Sequence, residues 1–129
     1  MKKLVLVSAM LIGTLPTMAA SFHTSEARVD LFNHHAKAER LAFELEEFAR
    51  RYEGGSHGER VAHEARKMLR AAHELREGLR HHRHPHHVRS LVRELDSKVN
   101  DFARVAPLHA GNHARHILHE IHEVLRQEL

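Results

Sequence analysis

Five imidazoles fall within seven residues, in the run His81-His82-Arg83-His84-Pro85-His86-His87. Neutral imidazole is the commonest protein ligand for borderline divalent metals, and so dense a run offers several at once. A second set, His109, His113, His116 and Glu120, is spaced by four, three and four residues, which on a helix stacks side chains one turn apart. Adjacent members of such a stripe can chelate one ion, and His119 with Glu123 repeats the four-residue pairing. His34 is a third, weaker candidate, directed into an apolar stripe with Asp30 one turn earlier. In all there are 16 histidines in 129 residues and no cysteine. The lack of cysteine removes thiolate metal sites, disulfides, iron–sulfur clusters and c-type haem attachment. An imidazole and carboxylate donor set points instead to Zn(II), Ni(II), Cu(II) or Co(II).

Catalytic metal motifs do not fit. A zincin needs H-E-x-x-H so that both histidines face one ion. The nearest runs, His73-Glu74-Leu75-Arg76-Glu77 and His119-Glu120-Ile121-His122-Glu123, end in glutamate. Di-iron bundles use paired E-x-x-H motifs, and no glutamate here has histidine three positions later. Met68 and His34 form no assignable axial pair, so haem is not expected, and no phosphate-binding glycine loop occurs. The chain therefore reads as a binding protein and not an enzyme.

The elements that position these residues are helices, because apolar residues recur at helical spacing in four segments. The first stripe is Leu31, His35, Ala38, Ala42, Leu45, Ala49 and Tyr52, widened by Leu41 and Phe48. Val61, Ala65, Met68, Ala72, Leu75 and Leu79 form the second. Val88, Val92, Leu95, Val99, Phe102 and Ala106 form the third, and Ala114, Ile117, Leu118, Ile121, Val124 and Leu125 the fourth. Gly54-Gly55 closes the first segment, and Ser56-x-x-Glu59 has the capping-box pattern for the second. Pro85 and Pro107 are the later breaks, and Gly111-Asn112 precedes the fourth stripe. Helices are predicted over about 25–53, 57–84, 86–105 and 110–128. Short connections make neighbours antiparallel, giving an all-α, up-down-up-down four-helix bundle as a single domain over residues 21–129.

Residues 1–20, MKKLVLVSAMLIGTLPTMAA, have the layout of a cleavable signal peptide: two lysines, an apolar run too short to span a bilayer, a proline and a small-residue exit. A periplasmic or secreted protein without a transmembrane segment in its mature form is expected. Loss of the signal takes Lys2 and Lys3 from the 20 basic residues, leaving 18 against 17 acidic ones. That near balance, with no aromatic stacking platform, argues against nucleic acid. The expected function is non-catalytic binding of divalent transition metal as a buffer, carrier or sensor. The alternative is a structural or chaperone-like envelope protein whose histidines, titrating near an ordinary pKa of about 6.5, drive pH-dependent binding to anionic lipid or polysaccharide.

Overall fold

The computed structural model describes the backbone of residues 15–126 and the side chains of residues 34–126. The signal peptide expected over residues 1–20 falls outside that described stretch of side chains, as do Asp30 and Leu31. The described residues form four helices and no strand: α1 (Leu15–Glu53), α2 (Glu59–Arg80), α3 (Pro85–Val105) and α4 (Leu108–Leu125). The chain divides into two units, residues 1–33 and 34–129, and everything below concerns the second. No described helix is long and apolar enough to cross a membrane.

Consecutive helices run in opposite senses. Between α1 and α2, Glu53 meets Arg66 and Glu46 meets Arg76, one number falling as the other rises. Between α3 and α4, Ala103 lies against Gly111, and Asp96 against His122. α1 also touches the other two helices, Phe48 packing edge-on to Phe102 at 6.1 Å and against the ring of His113 at 4.7 Å. This all-helical arrangement is consistent with a four-helix bundle.

The predicted stripes form the core. Ala38, Ala42, Ala49, Ala65 and Ala72 are fully buried, as is Met68, and the larger buried residues include Leu45, Leu75, Leu95, Phe102, Ile117 and Ile121. Small residues let backbones approach, and two glycines continue the device. A Cβ on Gly111 would lie 3.1 Å from the Ala103 Cα, and one on Gly78 would lie 2.6 Å from Leu91 Cδ1. Gly111 is thus a contact point inside α4, which begins at Leu108 after a two-residue connection instead of near residue 110. The helix starts differ elsewhere too. α1 is already helical at Leu15, ahead of the predicted start near residue 25, and α2 begins at Glu59 with Gly58 as N-cap at φ 99°. The capping box does not form: Gly58 takes the N-cap position, so Glu59 is the first helical residue, and Ser56 Oγ lies 3.2 Å from His57 Nδ1.

Glu46 is the one buried charged side chain of the described core. Arg76 reaches it from α2 with a two-pronged bond, Nε to Oε2 and Nη2 to Oε1 at 3.3 Å, while Arg50 Nη2 lies 3.7 Å from the same carboxylate. The Arg76 guanidinium also lies over the Phe43 ring, 5.4 Å from its centroid. The hydrogen bond to Glu46 raises Arg76's affinity for its proton against the opposing effect of burial, so the pair keeps its cation. Removing one partner of a desolvated pair strands the other charge. Arg76→Ala should therefore destabilise the fold by about 3 kcal/mol. Glu46→Met combined with Arg76→Met should recover most of that loss, both measured by urea unfolding.

Candidate metal centre

The histidine-rich run lies where α2 gives way to α3. α2 stops at Arg80, short of the predicted residue 84, in a Schellman arrangement. Arg83 N donates to Gly78 O at 3.0 Å and His82 N to Leu79 O at 3.1 Å. The left-handed position of that motif, usually glycine, is His82, with φ 50°. Its ring stacks on His35 of α1, with centroids 5.5 Å apart and planes 19° from parallel.

The remaining four histidines of the run separate. His81 Nε2 lies 3.3 Å from Glu77 Oε1, one turn back on α2. His84 is the N-cap of α3, its Nδ1 accepting from the backbone N–H of His86 at 3.0 Å, and Pro85 fills the first helical position. Neutral imidazole has a single acceptor nitrogen, so this bond assigns Nδ1 as acceptor and Nε2 as the N–H. His86 is exposed. His87 lines a groove of about 380 Å³ between α2 and α3, which it shares with His73, Glu74, Glu77 and Arg83. The close approach of Leu91 to Gly78 brings the second turn of α3 against α2 at this groove.

Glu77 links these parts. Partial desolvation raises its carboxyl pKa, but Arg80, the hydrogen bond from His81 and the charges of His73 and His81 outweigh it. The net effect holds the Glu77 carboxyl below the usual carboxylate range. His73 also lies 3.6 Å from Glu46 Oε1 and 3.2 Å from Arg76 Nη2, so the groove adjoins the buried ion pair.

The second predicted set is exposed along α4. His116 Nε2 lies 3.9 Å from Glu120 Oε1, and His119 Nε2 lies 4.0 Å from Glu123 Oε2. His113 leans on Phe48 of α1, and His109 stays near the start of the helix, exposed. His34 is half-buried, and it is His35, in the stripe position, that stacks on the turn. Among the described residues, no three histidine, aspartate or glutamate side chains converge closely enough to hold a metal ion.

Some partners were not visible as motifs. Glu77 was missed, although it lies four residues after His73 and four before His81, a spacing that could have brought the three together. The contact of His122 with Asp96 at 2.7 Å joins residues on different helices and leaves no local pattern. Gly54-Gly55-Ser56-His57-Gly58 spells the G-x-S-x-G of serine hydrolases. It joins two helices, with Ser56 and His57 both exposed, and so lacks the strand-to-helix elbow that activates such a serine.

Comparison with protein-family models, curated proteins and solved structures finds no match to this chain.

The depressed carboxyl of Glu77 has a signed consequence. Its pairing stabilises the folded state above the unfolded carboxylate value and is lost as pH falls through the lower folded value. Glu77→Gln should lower the thermal midpoint at pH 7, and the gap from wild type should narrow by pH 3. A gap that persists undiminished at pH 3 would assign the effect to packing instead.

Proposed function

We propose that this protein is exported through the signal peptide of residues 1–20. In its up-down-up-down bundle it binds divalent transition metal ions without catalysing a reaction, as a buffer, carrier or sensor. The observation that carries this is the α2–α3 turn. It presents His81, His82, His84, His86 and His87 to solvent beside a groove that adds His73 and Glu77. Glu77 stays ionised into mildly acidic conditions, which keeps an anionic donor beside His81. Imidazole with one carboxylate suits Zn(II), Ni(II), Cu(II) or Co(II). The histidines sit on two helix ends and the residues between them, so an ion would have to draw them together from several directions.

Isothermal titration of the purified protein with Zn(II), Ni(II) and Cu(II) tests this reading. Binding at least tenfold tighter than that of a polyhistidine peptide is expected, with preference among the three ions. Joint replacement of His81, His82, His86 and His87 by alanine should remove that advantage. Affinities equal to the peptide's, without selectivity, would overturn the proposal. Capture on anionic vesicles at pH 5.5 but not 7.5, with no metal present, would then favour the alternative of a pH-responsive envelope protein.

A further inference from the structure

The outward face of α4 carries a different arrangement. Ala110, Ala114, Ile117, Ile121 and Leu125 turn inward and are buried. His116, His119, Glu120 and Glu123 therefore straddle the opposite side at 100° per residue, and all four are exposed. They form two pairs with one-turn spacing, His116 with Glu120 at 3.9 Å and His119 with Glu123 at 4.0 Å. Metal–ligand bonds of about 2.0–2.1 Å place two tetrahedral ligands roughly 3.3 Å apart. Each pair is therefore within a small rotation of chelating an ion. Each pair is also only half a coordination shell, and no third ligand within the described chain completes it.

We propose that a second copy of this chain completes these half-sites, so that Zn(II) drives α4-to-α4 dimerisation. Two-fold contacts are self-complementary, the same patch serving both partners. An antiparallel crossing of two α4 helices near residues 119 and 120 sets the His116/Glu120 pair of one copy opposite the His119/Glu123 pair of the other. Two equivalent ions result, each held by two imidazoles and two carboxylates, which is a closed four-coordinate shell for zinc. This inference rests on the metal affinity proposed above but uses ligands separate from the α2–α3 turn.

The test follows mass and bound metal together on the purified full chain, by sedimentation velocity and isothermal titration with Zn(II) at pH 7.5. The expected result is a doubling of mass on adding Zn(II), reversal by EDTA, and one α4 ion per chain. His116→Ala combined with His119→Ala should weaken dimerisation at least tenfold while heat from the turn remains. Glu120→Gln is a milder second variant at an exposed position, with an expected loss of the same sign. Zinc binding without dimerisation overturns this inference and leaves the metal-binding proposal standing. Absence of any zinc heat overturns this inference, while the titrations with Ni(II) and Cu(II) still decide the metal-binding proposal. A dimer that forms in EDTA, or one that survives the α4 variants and is lost when the turn histidines are replaced, overturns the assignment to α4.

Discussion

Close approach of helix backbones is the constraint on which the rest of this structure depends. Six fully buried alanines line α1 and α2, and Gly111 and Gly78 admit neighbours that a side chain would displace. Helices packed so tightly leave internal room for aliphatic side chains, Met68 and the rings of Phe48, Tyr52 and Phe102. A buried imidazole needs partners for its polar nitrogens, and without them burial is costly. Of the fifteen histidines between residues 34 and 126, thirteen are exposed and two half-buried. The dense core has therefore displaced the chain's titratable chemistry to its periphery. The one exception among charged groups, Glu46, is tolerated because Arg76 brings a matching fork from the next helix.

That separation explains what the sequence revealed. The stripes were legible because each inward position repeats every three or four residues. The second stripe, from Val61 to Leu79, is buried at every predicted member. Helix ends were less legible because they depend on backbone angles and on contacts made elsewhere. Ser56 has the right spelling for a cap, yet Gly58 takes the position. Gly111 resembles a helix-start signal and is instead a point of contact with Ala103. Glu46 sits beside the apolar stripe of α1, and its partner lies 30 residues away, beyond the reach of local pattern.

The candidate site divides along the same line. Its residue types, and the four-residue spacing of His116 and Glu120, could be read directly. What could not be read is how the run from 81 to 87 breaks up, with His82 against α1, His84 at the head of α3 and His87 in the groove. Consecutive residues in a turn point in directions fixed by helix ends, not by their order. The turn points its histidines in several directions, whereas α4 spaces its own one turn apart along an exposed face. These are two different ways for a small helical scaffold to present imidazole.

His84 carries one more implication. Its lone acceptor nitrogen is already committed to the first turn of α3. An ion that claims this residue must compete with the backbone amide of His86, and a helix cap is typically worth about 1 kcal/mol. Ligation there trades helix order for coordination, discounting affinity by roughly fivefold. The start of α3 thus depends on one imidazole nitrogen staying available to the backbone.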